Sequence, residues 1–219
     1  MNTTFSFQKA LVAFLGFIGL LIAVRIFYTG STLYLFLVWN IFLAWIPFAV
    51  SSLFSKLHYK PKWKQSIIFC IWLAFFPNAL YIVTDLIHLE IESNVPKWFD
   101  AVLLFSASVA GLMMAFVSLY RAEAYLLHAK LSKFRPVFIF LILFLGSFGV
   151  YLGRFLRWNS WDIVSNPSQL LLSIGHRIIS PFDYLQTWTV TGTLTIFFYL
   201  LYISVKKMPG YTSRANTSL

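Results

Sequence analysis

Charge is scarce in this chain of 219 residues: Asp, Glu, Lys and Arg together make up 11%, against about a quarter in soluble domains. With 59% hydrophobic residues and a mean hydropathy of +0.77, that scarcity excludes a soluble globular domain and a disordered chain. It also excludes a nucleic-acid-binding domain built on a basic surface, so no nucleic-acid partner is expected. Cysteine is nearly absent. The single Cys70 rules out an intramolecular disulfide framework and a Cys-rich metal site. Catalytic signatures are missing too: there is no Gly-x-Ser-x-Gly elbow, no His-Glu-x-x-His zinc helix, no Walker loop and no dinucleotide fingerprint. No span carries a ladder of acids, so a proton relay through the bilayer has little support. No repeat or low-complexity tract divides the chain, which reads as one integral membrane domain over 1–219.

What the chain has is long apolar runs. A span needs roughly 20 mostly apolar residues, and six segments qualify: about 10–28, 31–54, 66–83, 100–120, 136–154 and 188–205. The fold class is therefore all-α, a polytopic transmembrane helix bundle. Lys9 precedes the first run and no small-residue cleavage site follows, so the run is expected to be a retained span. Arg25, near its end, is expected to snorkel to the interface.

The net charge of +10 and the pI of about 9.8 then need a membrane explanation. Twelve of the 17 basic residues fall in one set of connecting segments: Lys9, the lysines from 56 to 64, the cluster from Arg121 to Arg135, and Lys206, Lys207 and Arg214. By the positive-inside rule that set is cytoplasmic, with both termini. Arg121, Lys130 and Lys133 are expected to face headgroups there. Six of the seven acids fall on the other side, and only Glu123 falls inside. On the outer side, Leu170, Leu171, Ile174 and Ile178 recur at helical spacing between Pro167 and Pro181. They predict an interfacial helix over 168–179 that holds His176 and Arg177 at headgroup depth.

Two outer motifs carry the chemistry. At the end of the third span, Pro77 loosens the preceding turn and Asn78 can bond the freed groups or a neighbouring helix. Beyond it Asp85, His88 and Glu92 stand at i, i+3 and i+7, one face of a continuing helix. Asp85 and His88 can form a carboxylate–imidazole pair for base catalysis or share a metal; which metal, if any, and which cofactor stay unassigned. The plain alternative is a helix end meeting water. At the end of the fifth span, Gly149 and Gly153 suit close helix packing. Arg154, Arg157 or Trp158, and Trp161 follow on one helical face. Two guanidiniums a turn apart suit a phosphate or diphosphate. Trp158 and Trp161 can stack on a sugar or prenyl group, or simply belt the interface. Asn159 and Asp162 can orient a reacting group. Both motifs end at the same membrane face.

The runs Phe76-Pro77-Asn78-Ala79-x-Tyr81-Ile82-x-Thr84-Asp85-Leu86-x-His88-Leu89 and Tyr151-Leu152-Gly153-Arg154-Phe155-x-Arg157-Trp158-Asn159-Ser160-Trp161-Asp162 resemble a family of bacterial multi-pass membrane proteins catalogued as a domain of unknown function. The resemblance covers most of the chain. It implies a bacterial inner-membrane location and brings no reaction with it.

Three functions remain open. The first is an outer-leaflet enzyme acting on a lipid-linked or phosphate-bearing substrate. Asp85, His88 and Asp162 are its catalytic candidates. Asn78, Arg154, Arg157, Trp158, Asn159 and Trp161 bind the anionic substrate. The second is a flippase-like permease, whose helices break at Asn40, Pro47, Pro77 and Asn78. The third is a non-catalytic scaffold or accessory subunit. Membrane lipid is a partner in all three, and no protein partner is assigned.

Overall fold

A computed structural model describes residues 3–57, 60–90, 95–126 and 133–217, with side chains over 7–57, 60–90, 95–126 and 133–208. Glu92 and Lys130 lie outside the described residues, so the readings placed on them carry no structural account. The architecture is helical, with no strand among the described residues. The elements are α1 (Thr3–Thr29), α2 (Phe36–Ser51), α3 (Phe54–Leu57), α4 (Lys62–Tyr81), a 3-10 helix (Ile82–Glu90), α5 (Lys97–Leu126), α6 (Arg135–Leu156), α7 (Asp162–Ser165), α8 (Pro167–Ile179) and α9 (Leu185–Thr217).

Six segments are long and apolar enough to cross a membrane: Phe7–Thr29, Phe36–Leu57, Lys62–Glu90, Lys97–Leu126, Arg135–Leu156 and Leu185–Met208. They match the six apolar runs with ends that shift by about one to seven residues, and two of these differences have a visible local cause. The first difference is the start of the second span. Gly30 takes a left-handed φ of +66°, and its N–H caps the Ile26 carbonyl at 2.8 Å, the usual glycine stop. Turns through Thr32–Leu35 then delay α2 to Phe36. The second difference is the third span, which continues past Tyr81 as a 3-10 helix of nine residues. Runs longer than three or four are uncommon because the hydrogen-bond geometry is poorer.

The chain clusters into two compact units, Met1–Ala122 and Glu123–Leu219. In the first, α2 packs along α4, around an aromatic core of Phe54, Phe69, Trp72 and Phe76. Trp72, fully buried, donates its indole N–H to Ser118 of α5 at 3.4 Å. Pro47 and Pro77 sit inside α2 and α4, tolerated in spans where neighbours resatisfy the backbone. Helix α5 comes close to α4 at Gly111, where an added Cβ would stand 2.9 Å from the Ala79 carbonyl oxygen. In the second unit α6 packs along α9, with Trp188 stacked on Phe144 and Phe148. The buried face of α6 runs through Gly146, Ser147 and Val150. Gly149 and Gly153, expected to pack closely, are only half-buried.

Candidate functional site

The first unit gathers polar groups where α1, α2, the 3-10 helix and α5 end or begin. Arg25 is 2% exposed. Its Nε and Nη2 donate to the two carboxylate oxygens of Asp100 at 2.8 and 3.1 Å, and its guanidinium lies 4.3 Å from the centre of the Tyr34 ring. This corrects the expectation of a snorkelling arginine. Asp100, at the start of α5, offers a closer anion than the interface does, and the bidentate fork engages Nε and Nη2, leaving Nη1 buried without a partner among the described residues. Burial lifts the Tyr34 phenol above its usual value of 10.0. The Asp100 carboxylate lifts it further, and Arg25 opposes that lift.

Tyr34 also donates its hydroxyl to the His88 carbonyl at 3.1 Å, which fixes the 3-10 segment against the start of α2. Within that segment residues three apart eclipse one another, so Asp85 and His88 share a face, as their spacing predicts. The contact between them is made by the main chain: His88 Nδ1 lies 3.1 Å from the Asp85 carbonyl oxygen. The Asp85 carboxylate is 1% exposed with its residue and accepts from Asn40 Nδ2 at 2.7 Å. Phe36 packs on the imidazole with ring centres 4.8 Å apart. The Ser108 hydroxyl donates to the Leu104 carbonyl at 2.8 Å and also lies 3.2 Å from the Ile82 carbonyl, where the 3-10 segment begins. Asn78 donates to Phe75 O at 3.1 Å, one turn back.

At the other end of this unit, Arg121 donates to the Phe48 carbonyl at 3.1 Å and to Ser51 Oγ at 3.2 Å. A cation there satisfies the last carbonyls of α2 and its dipole. Arg121 therefore turns into the unit, not to headgroups as expected. Lys133 is exposed.

The second unit holds the arginine–tryptophan motif. Here α6 stops at Leu156, and Arg157 adopts φ 60°, ψ 26°, the one positive φ among described residues other than glycine. Trp158 N–H returns to the Leu152 carbonyl at 3.1 Å. The helix is thus closed by an αL cap that normally takes glycine, and an L side chain there is strained by roughly 1–2 kcal/mol. The expectation that Arg154, Arg157 or Trp158, and Trp161 continue on one helical face is corrected: the chain turns at Arg157. Asp162 accepts the Asn159 N–H at 2.6 Å and the Ser165 hydroxyl at 3.2 Å, closing the turn into α7. Asn159 Nδ2 lies 3.5 Å from Arg157 O. Trp161 is exposed. Trp158 is half-buried and donates to Ser173 Oγ at 3.3 Å. α8 spans Pro167–Ile179, one residue longer than predicted.

Glu123 was legible only as a lone acid among basic connectors. It is buried and accepts from Tyr202 at 2.8 Å and from Lys206 at 2.5 and 2.6 Å, with Arg135 at 3.6 Å. The i, i+4 spacing of Tyr202 and Lys206 was the available signal. Arg25–Asp100 was also missed; its signal was an arginine and an aspartate at matching ends of two spans. Among the described residues no three of His, Cys, Asp and Glu gather as a metal-binding group.

Six apolar helices, with Arg25, Asp100 and Glu123 buried and partnered among them, define a multi-pass membrane protein. The chain belongs to the family described as protein of unknown function (DUF1361), matched over residues 39–203. No curated protein and no solved structure matches.

Proposed function

We propose that the protein is an enzyme of the outer leaflet, in a bacterial inner membrane with both termini cytoplasmic, acting on a lipid-linked or phosphate-bearing substrate. The observation that carries this reading is the state of His88. A carbonyl oxygen only accepts, so the contact to Asp85 O places a proton on Nδ1. In the neutral ring Nε2 is then the acceptor, and no described residue donates to it. A half-buried imidazole pinned on one nitrogen and open on the other suits general base work on an attacking hydroxyl. Asp85 serves as a positioning residue: its main chain orients the ring and Asn40 holds its carboxylate. The phosphate-bearing class of substrate is proposed separately, from the two guanidiniums Arg154 and Arg157 of the second unit.

The test is complementation of a host lacking the chain, with membrane lipid extracts read by mass spectrometry at matched protein abundance. His88→Gln and His88→Ala are expected to leave the lipid profile of the deficient host, and Arg154→Ala to weaken recovery. Full recovery with His88→Ala refutes the enzyme reading.

A second reading, a non-catalytic scaffold, is favoured by the buried pairs Arg25–Asp100 and Glu123–Lys206. It expects the swapped pair Arg25→Asp with Asp100→Arg to restore function while His88→Ala is silent. The permease reading draws no support from Asn40 and Asn78, whose amides donate to groups within their own unit.

A further inference from the structure

The second unit carries an arginine whose own surroundings leave one edge of the guanidinium unmatched. Arg177 lies one turn after Ser173 on α8, and its Nη1 donates to the Ser173 carbonyl at 2.6 Å and to Ser173 Oγ at 3.0 Å. Ser173 Oγ also accepts from the Trp158 indole at 3.3 Å, so its own proton is uncommitted. Tyr184 stacks on the guanidinium at 4.8 Å. The Nε–Nη2 edge of Arg177 has no acceptor among the described residues: Nε is sealed from solvent and unpartnered, while Nη2 is unpartnered and open. No carboxylate lies within ion-pair distance of Arg177 among the described residues. A buried donor left without an acceptor is unfavourable. A guanidinium fork beside an uncommitted hydroxyl, with no acid in the group, fits a phosphate oxygen pair.

The rest of α8 says where that phosphate comes from. Leu171, Leu172, Ile178 and Ile179 are 55–80% exposed on the opposite face, and Phe182 follows at 84%. Such an apolar stripe seats a helix at a membrane interface. Its polar face then lies where lipid headgroups supply the phosphates, whereas a free phosphate would leave the stripe in water.

The geometry points to a phosphate-binding site formed by Arg177 and Ser173, with Trp158 holding Ser173 in place, and filled by the headgroup of a membrane phospholipid. It rests on the second unit alone and stands whether or not His88 transfers a proton. The experiment uses the full chain purified in dodecylmaltoside and titrated with dioleoylphosphatidylglycerol, with dioleoylglycerol of the same chains, or with inorganic phosphate. Bound lipid is counted by native mass spectrometry. Phosphatidylglycerol binds the wild type. Arg177→Ala lowers its affinity about tenfold, the effect of one or two charge-assisted hydrogen bonds. Arg177→Lys falls between, because it keeps a point charge without the fork, and Ser173→Ala gives a smaller drop. Lys207→Gln, which removes an exposed charge, has no effect. Equal binding of dioleoylglycerol overturns the proposal, as does displacement of the lipid by equimolar inorganic phosphate. Should Arg177→Ala fail to fold, wild-type affinity in both Arg177→Lys and Ser173→Ala overturns it as well.

Discussion

Replacing Asp100 by alanine leaves Arg25 buried without its anion. The Arg25 and Asp100 side chains are only 2% and 4% exposed, so neither can turn to water without moving a helix. At an effective dielectric near 20, two unit charges in contact attract by roughly 4 kcal/mol. Breaking a buried pair from one side destabilises by about 3–5 kcal/mol. Asp100→Ala is therefore expected to lose about that much, offset in part by the Tyr34 ring that still faces the guanidinium. Asp100→Asn keeps one acceptor and loses less. The apolar double variant Arg25→Met with Asp100→Leu loses far less than Asp100→Ala, because no charge is stranded. The assay is reversible unfolding in mixed micelles, run as a double-mutant cycle over these variants. A loss under about 1 kcal/mol for Asp100→Ala would place the pair with solvent-screened surface bridges and refute the reasoning. So would an apolar double variant as unstable as the single one.

Other outcomes follow from named contacts. Tyr34 has a raised pKa, so its contribution is complete below the ordinary tyrosine value near 10 and fades as pH rises through the higher folded value. Absorbance titration at 295 nm should show a late phenol that moves to lower pH in Asp100→Asn. Arg135 is 46% exposed, so Arg135→Ala should alter stability by under about 1 kcal/mol. Lys206→Met, which takes the nearest cation from buried Glu123, should lose several times more in the same melts. Gly111→Ala drives a methyl against the Ala79 backbone oxygen and should destabilise by about 1–3 kcal/mol. Gly19→Ala meets nothing within 4 Å and should melt like wild type.

The spans were legible because apolar length is a one-dimensional property that a bilayer imposes directly. The extension to Glu90 was harder to read. Nothing in Val83-Thr84-Asp85-Leu86 tells α- from 3-10 geometry; Tyr34, some fifty residues earlier, anchors that segment. The stop at Arg157 was hidden for a related reason. A left-handed cap normally announces itself as glycine, and here an arginine occupies it. Residue types at the candidate site were readable at Asp85, His88 and Trp158, while their partners were not. Asn40, Ser173 and Asp100 each meet their mates across 15 to 75 residues of chain, and pairing across such distances is set by helix packing.

The sequence distance between Arg25 and Asp100 also has a meaning in time. Arg25 is made 75 residues before its partner, which is several seconds at about 5–20 residues per second. Phe48 waits 73 residues for Arg121 to close the end of α2. A charged residue entering lipid without its partner is unfavourable, so α1 has reason to linger at the insertion machinery until α5 emerges. The first four apolar spans thus share buried polar contacts that can form only once α5 has been made.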